Sequence, residues 1–407
     1  MNQKQLGILL VLVVALGGAG LYLLKSEKSS WSGGEGPAVG KKLLGNFAIN
    51  DVAGITIKSG AGETSLAKKD DLWRVIERNG YPANFSEISD VLRKLNEIKV
   101  VQSEKVGASQ LPRLQLAPGS GSNGPVTVEF KDASGKALRT LLLGKLHTHK
   151  SNRPSPAMGM DMEDGGMPDG RYVKLAGDVD SVALISDPLT SLDPKPEHWL
   201  DKEFIKVEKA RTVGVDLPAA TNSWKITRET ENGEWKLADA KPEEKLDTSK
   251  VASVSNPLAS TDFTDVAAGA KPESLGLDKP TSITIGTFDD FTYNVKVGVK
   301  TNENYAMSFT VSAQIAKERT PGKDEKPEDK AKLDKEFADK QKRLEEKLSL
   351  EKGLEKWIYL VPGYAVDQLL KDRSQLLVEK KDETKKDDKP AAGDPASIEP
   401  AKPEAPK

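Results

Sequence analysis

The stretch WRVIERNGYPANFSEISDVLRKL at residues 73–95 returns in weaker form as WKLADAKPEEKLDTSKVASVSNPL at 235–258. Trp73 corresponds to Trp235 at an offset of 162, while Asn84, Ile88, Val91 and Leu95 correspond to Asp247, Val251, Val254 and Leu258 at an offset of 163. Repetition at a near-constant offset constrains the chain to two similar units, and one single-residue gap reconciles the two offsets.

The first copy opens with strand chemistry. Val52, Ile55 and Ile57 alternate ahead of Gly60 and Gly62, and ETSLAKKDDLWRVIE reads as two strands around a Lys-Asp-Asp turn. Tyr81-Pro82 cannot continue a helix backwards, so a helix starts after it. Asn84 is its expected cap, with Glu87 three residues later completing a capping box, and Ile88, Val91, Leu92 and Leu95 give it one apolar face. IKVVQSEKV begins another strand. VTVEFKDASGKALRTLLLG reads as a hairpin around Ser134-Gly135, followed by GRYVKLAG and VDSVALIS.

The second copy keeps this order. RTVGVDLP and NSWKITRETENGEWKL supply strands with Asn232-Gly233 as a turn, and Asp247 takes the capping position. SITIGTFDDFTYNVKVG matches the earlier hairpin down to its final Gly, and KWIYLVPGYAVDQLL is matched to RYVKLAGDVDSVALI. The expected fold is therefore α+β: two tandem repeats, 47–205 and 206–378, each a mainly antiparallel sheet carrying an amphipathic helix. An insertion at about 316–350, dense in Lys, Glu and Asp with a sparse stripe of Leu333, Phe337, Leu344 and Leu348, reads as an exposed helical arm. Its loss should cost little stability.

The ends are different in kind. Leu6–Leu24 is an uncharged apolar run, and a helix of roughly 20 such residues spans a bilayer. Residues 1–28 are expected to be a transmembrane anchor, with a removed signal peptide as the alternative; either exports the rest. A single-pass protein of the inner membrane, with its bulk outside the cytoplasm, follows. Residues 29–46 read as a Gly/Ser-rich flexible linker and 379–407 as a disordered tail that lacks apolar area to bury.

The Trp-Arg-Val of 73–75, the Tyr-Pro-Ala of 81–83 and HWLDKEFIKVE at 198–208, with the duplication and the amino-terminal span, resemble a bacterial envelope family known as domain-of-unknown-function family 4340. The resemblance spans most of 47–378. It implies an accessory, non-catalytic envelope role beside an ABC-type permease and its ATPase or a gliding-motility-like component. It brings no catalytic residues with it. The charged insertion and a Met-rich loop depart from its pattern.

Chemical motifs are sparse. Lys+Arg 60 against Asp+Glu 62 leaves a net charge of -2, without the basic excess of a nucleic-acid binder, and there is no Cys to serve as ligand or nucleophile. His147 and His149 form an H-x-H pair, and Met158, Met160, Met162 and Met167 follow in one loop. Thioethers near imidazoles suit a soft ion such as Cu(I), so a periplasmic ligand or copper carrier is the alternative to a contact scaffold; the competing reading is an ordinary solvated loop. His198 beside Trp199 reads as a packing pair, the six Trp residues as core and interface anchors, and Asp70-Asp71 and Asp289-Asp290 as turn residues. There is no P-loop, nucleophile elbow, H-E-x-x-H or dinucleotide fingerprint, so neither an enzyme nor a cofactor is expected.

Overall fold

The computed structural model describes residues 38–119, 121, 124–148, 167–178, 180–322 and 325–378. The expected membrane span Leu6–Leu24 and the tail 379–407 lie outside these residues. Among the described residues no helix is long and apolar enough to cross a membrane.

The chain is α+β, with two sheets whose strand pairs are all antiparallel. The first sheet contains β1 (Gly54–Ser59), β2 (Gly62–Lys69), β3 (Leu72–Val75), β4 (Tyr81–Pro82), β5 (Val100–Lys105), β6 (Val126–Lys131), β7 (Ala137–Thr148), β8 (Pro168–Leu175) and β9 (Ser181–Ile185). Its spatial order is β4-β3-β2-β1-β6-β7-β8-β9-β5. The chain meanders from β1 to the β4 edge, and helix α1 (Phe85–Glu97) carries it to the opposite edge as β5. From there it returns to the middle and meanders outward from β6 to meet β5.

The second sheet contains β10 (Ala210–Asp216), β11 (Trp224–Thr227), β12 (Lys236–Leu237), β13 (Asp265–Val266), β14 (Thr281–Thr287), β15 (Phe291–Thr301), β16 (Asn304–Ala313) and β17 (Tyr359–Pro362). Its order is β12-β11-β10-β14-β15-β16-β17-β13, with α2 (Thr248–Ala252) between β12 and β13. Residues 304–313, unassigned from sequence, form β16. β17 therefore holds the place in this sheet that β9, not β8, holds in the first. Helices α3 (Pro327–Gly353) and α4 (Gly363–Val366) flank β17.

Alternation decides the strands. In β15, Phe291, Tyr293, Val295 and Val297 are buried while their neighbours are not, the period-2 pattern of a sheet with one covered face. The β2–β3 hairpin turns at Asp70 and Asp71, with φ of 51° and 60°, a left-handed pair that Asp tolerates by bonding its own backbone. The expected tight Asn232-Gly233 turn is instead a wider loop. Gly233 N–H donates to Thr230 O, and Arg228 stacks 4.7 Å over Trp235.

Both helices begin where expected. Asn84 Oδ1 accepts from Glu87 N–H, and Asp247 Oδ1 accepts from the N–H groups of Ser249 and Lys250. The capping box does not close, because the Asn84 N–H already donates to Trp199 O. Helix α1 buries Ile88, Val91, Leu92 and Leu95, each contributing about 1.5–3 kcal/mol of transfer free energy. Helix α2 ends after five residues. Ser253, Ser255 and Asn256-Pro257 follow, and Pro removes a donor and excludes helical geometry at the residue before it. Val254 and Leu258 are buried all the same.

Three expectations about boundaries change. The stretch ending at 46, read as linker, is docked over residues 41–44: Leu43 and Leu44 are buried, and Val100 N–H donates to Lys41 O. The charged arm begins later and runs further than expected. Its carboxyl half is anchored, with Leu344 and Leu348 against the core and Glu351 buried. Residues 201–208, which connect the two sheets, bury Phe204, Ile205 and Val207, with Phe204 against Phe263, Phe309 and Tyr359, and one apolar cluster includes residues of both halves.

Candidate functional site

The residues singled out from sequence do not converge. His147, near the end of β7, places Nδ1 2.6 Å from Asp169 Oδ1, with its ring edge-on to Tyr172. A carboxylate on one ring nitrogen orients the imidazole and leaves the other nitrogen for a ligand. His149, Met158, Met160 and Met162, which would complete a soft-metal set, lie outside the described residues, and Met167 is 83% exposed. Among the described residues no group of three or more His, Asp or Glu is arranged to hold a metal. His198 Nε2 stands 3.6 Å from Glu87 Oε1, beyond hydrogen-bond length, and its ring packs edge-on to Trp199. Trp73, Trp199 and Trp224 are buried, the latter two donating through Nε1 to the carbonyls of Asp193 and Lys371.

Two places concentrate polar and aromatic groups instead. The first is the junction between the sheets. Tyr81, on the β4 edge, is buried edge-on against Trp357, Phe263 and Tyr359 of the second half, at centroid distances of 4.8, 5.7 and 6.1 Å. Burial pushes its hydroxyl to a higher pKa, and that hydroxyl lacks a well-formed hydrogen bond; its neighbour Tyr359 donates to Leu354 O. Arg78 grips Asp265 of β13 with two parallel bonds, Nε–Oδ1 at 2.6 Å and Nη2–Oδ2 at 2.8 Å, and also reaches Glu197 at 3.2 Å. Lys202 caps the ring of Phe263 and donates to the carbonyls of Phe263 and Thr264; burial draws its pKa down, partly offset by Asp265, Glu197 and Asp262.

The second place is a cleft of about 690 Å³ beside β12, lined by Trp235, Leu237, Leu246 and Val251 with Glu234, Lys236, Glu244 and Lys245 at its rim. Its volume lies within the range of small-ligand pockets. Its origin is local. In the first half Asn79 and Gly80, at φ of 54° and 69°, turn the chain back so that β4 pairs with β3. There Ala83 N–H donates to Trp73 O and Gly80 N–H to Val75 O. The corresponding stretch of the second half, ADAKPEEKL at 238–246, has Pro242, no glycine and one more residue. It swings wide of β12, and β12 is left as the sheet edge.

Arg373 holds the wide loop out. It bonds both carboxylate oxygens of Asp239, at 2.9 and 3.0 Å, and Glu244 at 2.7 and 3.2 Å. Arg373 and the Lys241 N–H bring the Glu244 carboxyl down to about 2. Neither Arg373 nor Glu244 was singled out from sequence. The only trace there is the slip from offset 162 to 163, which falls in this loop.

No curated protein and no solved structure matches the chain. One family does match in part: the sequence model described as domain of unknown function (DUF4340) aligns with residues 164–280, less than a third of the chain. The aligned stretch runs from just before β8, through HWLDKEFIKVE, the cleft and β13, to the threshold of β14; Trp73–Val75 and Tyr81–Ala83 fall outside it. Over residues 164–280, the chain is thus similar to the DUF4340 family.

Proposed function

We propose that this chain is a tandem repeat held to the membrane by Leu6–Leu24, with both units outside the cytoplasm, and that it acts by protein contact as an accessory of an ABC-type transport or gliding-motility-like assembly. The observation that carries the contact reading is the apolar cluster shared by both sheets, crossed by Tyr81 against Phe263, Trp357 and Tyr359. A body fastened this way presents surfaces at fixed spacing, which is what a scaffold requires.

The repeat reading draws support from matched hydrogen bonds as well as matched strand order. Asn84 N–H donates to Trp199 O as Asp247 N–H donates to Leu376 O, and Asp201 N–H donates to Pro82 O as Val378 N–H donates to Lys245 O. The identity of the partner rests on the family resemblance alone. Crosslinking native membranes and recovering the chain through a carboxyl-terminal tag tests it. Co-recovery of a permease and its ATPase is the expected outcome. Recovery of the chain alone, from membranes in which those subunits are demonstrably present, refutes the proposal.

A further inference from the structure

We infer that the cleft beside β12 is a binding site for an extended peptide with one large apolar side chain, and that its resident occupant is the segment Pro395–Pro400 of this chain's own carboxyl-terminal tail. The inference rests on reading the chain as a repeat, because the first unit supplies the template. There, β4 lies against the outer side of β3 and supplies the edge strand that β12 lacks. Antiparallel ladders alternate the direction of their backbone groups. Ala238 N–H donates inward to Lys225 O, so the N–H and C=O of its neighbour Leu237 face the outer side of β12. A strand added there meets a free backbone edge and an apolar floor at once, the two requirements of recognition by strand addition.

The occupant follows from where the chain goes next. Val378 N–H donates to O of Lys245, a residue lining the cleft, and residues 379–407 are the next in sequence. In those residues Ile398 is the one large apolar side chain, in the sequence PASIEP. Pro400 biases Glu399 before it to an extended backbone, and the two prolines limit the segment to edge pairing, as Pro82 does in β4. Ile398 is twenty residues past Val378, and at about 3.3 Å per residue the connection spans the cleft with slack. Closing a loop of that length costs little more than closing a shorter one, and the tether presents the segment at an effective concentration of order millimolar.

Hydrogen exchange at the Leu237 amide reads the occupancy directly. In the full chain this amide should exchange about tenfold more slowly than in the Ile398→Asp variant. A chain ending at Val378 should match Ile398→Asp, and millimolar synthetic peptide of residues 394–401 should restore its protection. Equal exchange in the full chain and the Ile398→Asp variant overturns the inference. So does a loss on truncation that the peptide does not reverse, since the tail then acts elsewhere. Either failure leaves the membrane partner to be decided by crosslinking, so the two readings fall separately.

Discussion

Gly144 and Gly298 show what a single matched residue can mean. Each lies at a break in register of a long hairpin, between Leu143 and Leu146 in β7 and between Val297 and Lys300 in β15. A Cβ at Gly144 would fall well inside contact with the carbonyl oxygen of Leu114, and one at Gly298 with that of Leu275. Both carbonyls end 3-10 turns, Ala108–Leu114 and Pro272–Leu275, laid across the sheet. The contact is with backbone, so nothing flexible can give way. Gly298→Ala should therefore destabilise by about 2–3 kcal/mol, the upper range for overpacking. Gly214→Ala in β10, where a Cβ meets only ordinary neighbours, should stay within about 0.5 kcal/mol. Urea unfolding of the two variants checks this; equal effects would mean the close approach is relieved at no cost. The final glycine of each hairpin was legible as a match between the two stretches of sequence. Its reason was not, because the obstructing carbonyl comes from a turn far back in the chain.

Among the elements, α3 departs furthest from its sequence. A run of Lys, Glu and Asp at about 316–350 reads as a solvated face, and Glu351 falls just past it. Yet Glu351 is 5% exposed: Oε1 accepts from Lys206 N–H, Oε2 accepts from the Tyr293 hydroxyl at 2.8 Å, and Lys347 pairs with it at 3.1 Å. Periodicity reveals only the i,i+4 partner Lys347; Tyr293 comes from β15 and Lys206 from the connection after Trp199. Further along, Lys340 reaches Asp289 at 2.6 Å. Burial works to raise that carboxyl's pKa, but Lys340 and Lys209 outweigh it and hold it low. The helix thus has a half packed on the core and a more exposed amino half, tied at Asp334 to Arg319. Removing 327–339, where Leu333 and Phe337 are only half-buried, should change stability by less than about 1 kcal/mol. Glu351→Ala strands the Tyr293 hydroxyl and the Lys206 amide and should cost about 2–4 kcal/mol. Thermal unfolding of both variants decides it, and the reverse ranking would show that the amino half is the structural one. Elements with a clear period, such as α1 and β15, were read correctly. The short α2, the unassigned β16 and the docked residues around Leu43 were set by tertiary contacts that override local signals.

At the scale of the molecule, the question is whether the two sheets behave as one. Sequence offered the units but not their joint: Arg78 and Asp265 are 187 positions apart, and nothing local marks either as a partner. The joint has an ionic rim and an aromatic centre. The rim contributes mainly geometry, because two desolvated charges regain in attraction roughly what they lose in hydration. The centre contributes the energy, since Tyr81 fills the space among Phe263, Trp357 and Tyr359. Truncating a buried aromatic costs about 3–5 kcal/mol, and here that loss falls between the units rather than within one. Tyr81→Ala should therefore split a single calorimetric transition into two, with each sheet unfolding on its own. Tyr81→Phe provides the control. The hydroxyl it removes is buried without a well-formed partner, so this variant should retain one transition at equal or slightly higher temperature. If Tyr81→Ala keeps one transition and merely shifts it, the coupling resides in the buried connection of Phe204, Ile205 and Val207, and the aromatic centre is only part of a common core.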